Sequence, residues 1–256
     1  MTEKLSYDGY CPICEKPVRF EAESGSYRES LQCTSCDNGS IPRERALALV
    51  LNELASNWRA LRIHECAPIW RGISLKIARQ AQNYLCTQYF PSKPFGTVID
   101  GYRNEDLQAQ TFADAEFDLV LSLDVMEHIP EPELAFKEIW RTLRPGGMMI
   151  GTWPVVKHLA SATQFRIGRD ENGALVHLKP PVYHRNLVGD EGSLVTVDYG
   201  YDIHQKIAEW APFDVRVYRF ADRAHGILGE NTEVFVCKKR SVPGSPPLGQ
   251  VRKRSK

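Results

Sequence analysis

The apolar positions change period along the chain, and each change marks an element. Leu47, Val50, Leu51 and Leu54 recur at i, i+3, i+4 and i+7, which puts them on one face of a helix over 41–56. Pro42 suits the first turn of that helix, and Ser40 is a nearby candidate cap. From Leu61 to Thr152 short β-like runs take over, at 61–66, 84–89, 97–100, 117–124 and 148–152, with helical stretches near 73–82 and 131–143 between them. Such alternation predicts a parallel sheet covered on both faces. Residues 153–200 lose periodicity and are rich in Pro, Gly, His and Tyr; a long irregular stretch of this kind inside a domain usually covers a site. Order returns with a helix near 201–210 and strands at 215–220 and 233–238.

The first 40 residues show little periodicity and must be stabilised differently. Cys11-Pro-Ile-Cys14 and Cys33-Thr-Ser-Cys36 form two C-x2-C pairs separated by 18 residues. Two such knuckles bring four thiolates to the corners of a tetrahedron, which suits Zn²⁺ with Zn–S near 2.3 Å. The ion then replaces the core that so few apolar residues cannot build. A pair of redox CxxC motifs would need a thioredoxin-like context, which the segment lacks. Residues 15–32, between the knuckles, mix acidic and basic side chains and form no basic stripe. The other three cysteines, Cys66, Cys86 and Cys237, fall on predicted strands as small buried side chains.

Charge adds one point. The 256 residues carry 32 basic and 32 acidic side chains, but the balance is segregated. From Lys238 onward there are seven basic residues and no acidic one, so the remaining body is net acidic by seven charges. The last stretch, with its SPP and PG, is expected to be disordered. No run reaches the roughly 20 apolar residues that span a bilayer. The start, MTEKLSYDGY, has no apolar signal segment, so a cytoplasmic location is expected. The predicted division is a four-cysteine module at 1–40, a connecting helix at 41–60, an α/β domain at 61–238 with a lid-like insert at 153–200, and a basic tail at 239–256.

The most informative run is Phe117-Asp-Leu-Val-Leu-Ser-Leu-Asp-Val-Met-Glu-His-Ile-Pro130, followed by Arg141-Thr-Leu-Arg-Pro-Gly-Gly147 and an apolar strand. Ligands of open α/β sheets bind beyond the carboxyl ends of the strands, where Asp124, Glu127 and His128 fall. The order of an FD-x-V strand, a D-x-x-EH loop and an L-x-PGG turn resembles the class I S-adenosylmethionine (AdoMet)-dependent methyltransferases, over about residues 58–238. Further wording, including I-H-E-C-A-P, G-Y-R-N-E-D-L and P-P-V-Y-H, resembles a bacterial subgroup of that family. In its P-P-x-Y-H-G-N-P segment this chain has Arg185 and Leu187 instead.

The resemblance implies a Rossmann-like, seven-stranded, mostly parallel sheet with helices on both faces, beside the small zinc ribbon. It also implies AdoMet as donor, bound at the ends of the first strands. Glu65 matches the acid of the family's first motif, whereas Ala67, Pro68 and Gly72 replace its usual glycines, so the turn must be reshaped. No carboxylate ends the second strand, where Gln88 is placed to bond a ribose and Tyr89 to pack on adenine. Asp106 and Leu107 match the adenine-edge region, Asp106 serving equally as a cap. Leu123, Asp124, Val125 and His128 complete the implied donor site.

Methyl transfer is an in-line displacement that needs alignment and, for a hydroxyl acceptor, removal of a proton. His128 and His184 are the candidate catalytic residues, because histidine titrates near neutral pH; the alternatives are a loop residue that shapes the donor pocket for His128 and a structural hydrogen bond in a lid for His184. His64 reads as packing, and Trp153, Tyr183, Tyr199 and Tyr201 as aromatic walls beneath a lid or, equally, as ordinary core. The leading expectation is methyl transfer to a small-molecule or glycan-type acceptor, at oxygen. Two alternatives stay open: an RNA acceptor read through the zinc module and tail, and a non-catalytic binding protein on the same fold.

Overall fold

The computed structural model describes residues 4–23, 26–156, 162–184 and 192–240. The predicted basic tail lies, from residue 241 on, outside the described residues, as do Arg185 and Leu187. The chain opens with strands β1 (Leu5–Cys11) and β2 (Lys16–Ala22), a single turn α1 (Tyr27–Ser30) and β3 (Gln32–Cys33). The three strands form one antiparallel sheet in the order β1-β2-β3.

Helix α2 (Pro42–Leu54) follows, shorter at both ends than the pattern predicts. Its cap is Ile41 rather than Ser40: the Glu44 carboxylate accepts the Ile41 N–H at 3.2 Å, while Ser40 instead accepts from Arg45. Then come β4 (Arg62–Cys66), α3 (Gly72–Gln80), β5 (Asn83–Gln88), β6 (Val98–Ile99), β7 (Tyr102–Asn104), β8 (Phe117–Leu123), α4 (Pro132–Thr142) and β9 (Leu143–Thr152). The insert contributes short strands β10 (Gln164–Phe165), β11 (Ile167–Arg169), β12 (Leu175–His177), β13 (Tyr183–His184), β14 (Ser193–Leu194) and β15 (Val197–Asp198). Helix α5 (Ile203–Trp210) and strands β16 (Phe213–Tyr218) and β17 (Val234–Lys239) close the described fold.

The main sheet runs β16-β17-β9-β8-β4-β5-β7-β6. The pairs from β9 through β7 are parallel, and β17 is antiparallel to both β9 and β16. The α/β, Rossmann-like expectation holds, but the sheet has eight strands instead of seven. The run at 97–100 turns back through Gly101 (φ +84°) into β7, so one predicted strand becomes a small antiparallel edge hairpin. The PGG stretch also differs: it bulges within β9, whose partner register jumps from Leu143 to Met148.

Side chains alternate between two cores, as strands require. Ile63, Leu119, Leu121, Ile150, Val234 and Val236 pack with α2, α3 and the amino-terminal module. Cys66, Val120, Met149, Phe235 and Cys237 pack on the other face with α4 and α5. Cys66 and Cys237 are buried as expected; Cys86 is only half-buried. His64 is packing, as read from sequence: it lies between the Phe112 and Phe117 rings, and burial drops its pKa to about 3. Among the described residues no helix is long and apolar enough to cross a membrane.

Candidate functional site

The site assembles where β4, β5, β8 and β9 end, because parallel strands deliver their following loops to one edge. After β4 the chain turns sharply at Ala67 (φ +45°) and enters α3 at Gly72 (φ +47°). A Cβ on Gly72 would collide with the Glu44 Oε2. Glycine is thus required by both the backbone conformation and the close approach of α2. Pro68 is buried within the turn. Glu65 lies behind α3 with no exposed surface; its oxygens accept from Ser74 and, at 2.8 Å, from Tyr84. Burial raises its pKa to about 7 against those hydrogen bonds. The expected donor-binding acid therefore braces the first turn of α3 from within and turns no oxygen toward a ligand.

At the end of β5 the Gln88 Oε1 accepts the Tyr89 N–H at 2.9 Å. Tyr89 is 52% exposed and stacks on Phe95 at 6.0 Å between centroids. Asp106 caps the turn that follows β7, accepting the Gln108 N–H at 2.8 Å, the capping role that sequence left as its alternative. Leu107 is buried beneath that turn. Two further aromatics join this edge: the Trp70 indole N–H donates to the Tyr102 hydroxyl, with ring centroids 5.9 Å apart. Sequence reasoning missed Trp70, Phe95 and Tyr102. The signal was available, since large aromatics in strand-end loops have no core to enter.

Beyond β8, Leu123 is buried and Val125 half-buried, and Asp124 takes a left-handed conformation (φ +52°). Its Oδ1 accepts from Thr152 at 3.0 Å, and its Oδ2 meets Arg28 at 2.5 Å and Arg43 at 2.8 Å. Burial alone would raise this carboxyl; Arg43 and Arg28 outweigh it and hold its pKa below the ordinary value. Asp124 is therefore a structural anchor rather than a free donor ligand. Arg28 belongs to the amino-terminal module, so that module reaches the edge of the sheet where the site forms.

The next turn, Met126–His128, carries the chemistry. Glu127 is 2% exposed, and neither carboxylate oxygen has a hydrogen-bond partner among the described residues. Its Oε1 lies 3.9 Å from the His128 Nε2 and 3.8 Å from the His184 Nδ1. The two imidazoles meet edge to face at 5.1 Å. His128 donates from Nδ1 to the Leu194 carbonyl at 2.8 Å, the tautomer in which Nε2 keeps a lone pair. Burial, reinforced by the Asp124 charge, raises the Glu127 pKa well above the usual carboxylate range, and burial lowers that of both histidines. His128 and His184, 56 residues apart in sequence, are thus brought together. Glu127 was noted at a strand end but not expected as part of the site.

The insert is bound to this turn more firmly than a lid. Thr196 donates through its N–H and its hydroxyl to the Glu127 carbonyl, at 2.8 and 3.0 Å. Trp153 and Tyr199 are fully buried, Trp153 stacking on Phe235 at 4.1 Å and Tyr199 bonding the Met126 carbonyl. Of the two roles open from sequence, aromatic wall or ordinary core, both take the core. Tyr183 is exposed and Tyr201 half-buried under Arg219. An open groove of about 500 Å³ runs between the insert and the start of α4, lined by Pro130, Leu134, Phe165 and Trp210 among others, and no expected site residue borders it.

In the module the four cysteine sulfurs all lie within 4.8 Å of one another. Cys11–Cys36 and Cys14–Cys33 are 3.7 and 3.8 Å apart, and Cys14–Cys36 is 3.1 Å. A tetrahedral ion with bonds near 2.3 Å needs edges of about 3.8 Å, so the donor set fits a zinc-sized ion.

Comparison with known proteins agrees with this architecture. Residues 76–151 match a family model described as a methyltransferase domain. An S-adenosylmethionine-dependent methyltransferase from Mesorhizobium loti superposes with a TM-score of 0.50 at 15% identity, covering 76% of this chain and 98% of that one. A ubiquinone biosynthesis O-methyltransferase of Cereibacter sphaeroides is 40% identical over 55 residues, 22% of this chain and 22% of that protein. The matched stretch is thus only about a fifth of those curated relatives' length. The chain carries an enzyme domain of the methyltransferase kind, on the fold of the S-adenosylmethionine-dependent methyltransferases.

Proposed function

We propose that this methyltransferase domain transfers a methyl group from AdoMet to a hydroxyl of a small-molecule or glycan-type acceptor in the cytoplasm. The observation that carries the reading is the Glu127–His128–His184 cluster, set beside the edge where Gln88, Tyr89, Trp70 and Tyr102 form a cradle for the donor. In this reading Ala67, Pro68 and Gly72 shape the turn against the donor, Tyr89 stacks on its adenine, and Leu107, Leu123 and Val125 supply apolar walls. Glu65, Asp106 and Asp124 hold that frame. The name of the Cereibacter sphaeroides relative favours oxygen as the methylated atom.

The acceptor oxygen attacks the methyl carbon as the C–S bond breaks. The electron pair stays on sulfur, leaving neutral S-adenosylhomocysteine, and the acceptor's proton leaves through the cluster to solvent. His128 and His184 are the catalytic residues, because they face the acceptor oxygen. The four cysteines hold one structural Zn²⁺, and metal analysis then finds about one zinc per chain, lost when Cys11 and Cys14 become Ser.

Calorimetry with AdoMet tests the donor: saturable binding is expected, and its absence at millimolar donor sinks the enzymatic reading. Incubating the protein with methyl-labelled AdoMet and separated small-molecule, glycan and RNA fractions tests the acceptor. Label in the first two is expected; label confined to RNA overturns the acceptor class.

A further inference from the structure

Glu127 is a carboxyl group with 2% exposure to which no described residue gives a hydrogen bond on either oxygen. Ionised, such a group is costly to bury, so without a cation it stays protonated. Two cations stand nearby, but Arg28 and Arg43 are both engaged by Asp124 and Glu29. Two arginines against Asp124 and Glu29 leave that group neutral, so no cation among the described residues is left over to ionise Glu127. What faces Glu127 is a pair of imidazole nitrogens, His128 Nε2 and His184 Nδ1.

We propose that Glu127, His128 and His184 bind a divalent first-row transition-metal cation, at a site separate from the four cysteines. The donor atoms of the three side chains lie within 4.8 Å of one another. Two ligands about 2.1 Å from one ion stand about 3.0–3.4 Å apart, so contacts of 3.8 and 3.9 Å need close by only about half an ångström. The His128 Nδ1–H donating to the Leu194 carbonyl is the supporting hydrogen bond that metal-ligating histidines use, and it aims Nε2 inward. Two imidazoles and one carboxylate select a borderline cation such as Fe²⁺, Co²⁺ or Zn²⁺ over Mg²⁺. The His184 side chain is 44% exposed, so one side of the cluster stays open to a further ligand.

The site stands on these residues alone; its role rests on the transfer reaction proposed above. There, an acceptor hydroxyl on the open side would be acidified by the ion, as metal-bound water is. Its proton passes to solvent, and the two imidazoles serve as ligands rather than as the final proton carriers.

Co²⁺ distinguishes this site from the cysteine cluster, since thiolate ligands give an intense charge-transfer absorption and imidazole–carboxylate ligands only weak visible bands. Titrating purified protein that carries one zinc per chain, excess metal having been removed by dialysis, with CoCl₂ is expected to give one equivalent of weak visible bands. Their apparent affinity should fall at least about 10-fold in Glu127→Gln and in His184→Ala, and stay unchanged in His177→Ala, an exposed strand residue. Circular dichroism reports whether Glu127→Gln is folded; the half-exposed His184→Ala decides the matter if it is not. No uptake, uptake indifferent to both variants, or thiolate absorption alone overturns the proposal. AdoMet calorimetry on the same samples separates the two readings. Donor binding without cobalt uptake removes the metal site and leaves the transferase; cobalt uptake without donor binding does the reverse.

Discussion

Three buried carboxylates stand near the ends of β4 and β8, and their partners give each a different task. Glu65 is braced by two hydroxyls, Asp124 is clamped by two arginines, and Glu127 faces two imidazoles without a hydrogen-bond partner among the described residues. Because burial raises the Glu65 pKa from 4.5 to about 7, the folded state keeps a proton that the unfolded state releases sooner. Its contribution to stability is complete below about 4.5 and is lost as the pH rises through about 7. Glu65→Gln should flatten that part of the stability–pH curve in urea titrations; an unchanged slope would place the proton elsewhere. Gly72→Ala forces a side chain into the left-handed region and onto Glu44, and should lower stability by about 2–3 kcal/mol, readable as a fall in melting temperature. The sequence showed that Glu65 lies near the end of the 61–66 strand and that the turn after it departs from the glycine pattern. It could not show which way the acid points, because that depends on Ser74 and Tyr84 arriving from α3 and β5. Glu127 escaped for the same reason: its significance lies in what fails to reach it.

Elements were more legible than contacts. The four long helices and the strands β4, β5, β8 and β17 follow directly from apolar period, since each buries one face against the same sheet. The errors fall where a turn outweighs pattern, at the Gly101 reversal that creates the β6–β7 hairpin and at the bulge that absorbs PGG into β9. The insert was the harder case. Its apolar residues carry no single period, because short antiparallel pairs such as β11–β12 and β13–β14 rest on different neighbours. Among the contacts that tie it to the chemistry, the Thr196 hydroxyl lies 3.0 Å from the Glu127 carbonyl and 2.8 Å from that of Ile129. Thr196→Val keeps the shape and the N–H bond to Glu127 but removes the hydroxyl donor. A cost of about 1–2 kcal/mol is expected, with faster amide exchange in residues 192–199. Exchange unchanged there would show that the insert is held by Tyr199 and Trp153 packing alone.

At the scale of the molecule, the amino-terminal module is a wall of the catalytic domain rather than an appendage. Arg45, buried in α2, donates to the carbonyls of Leu31 in the module and Gly226 in the loop before β17. Tyr10 donates its N–H to the Ala224 carbonyl, and Asn38 reaches the Trp70 carbonyl in the turn after β4. Arg28 then carries the module to Asp124, at the end of the central strand β8. The zinc proposed for the four cysteines therefore supports more than its own knuckles. Removing it should loosen Arg28 and Asn38 together, weakening AdoMet binding and lowering the melting temperature in parallel, although none of the four clustered cysteines lies on β4, β5 or the loops that follow them. Arg28→Met isolates the electrostatic part of this linkage. With Arg43 still in place, a loss of about 2 kcal/mol is expected at neutral pH, less than for a fully orphaned buried charge. Since the arginines hold the Asp124 pKa below its ordinary 3.8, their contribution is present above that value and vanishes as the pH falls through the lowered one. Wild type and Arg28→Met should thus converge in stability toward acid and diverge toward neutrality. Parallel curves across that range would mean that Arg28 acts through packing, and that the module's hold on the site is steric.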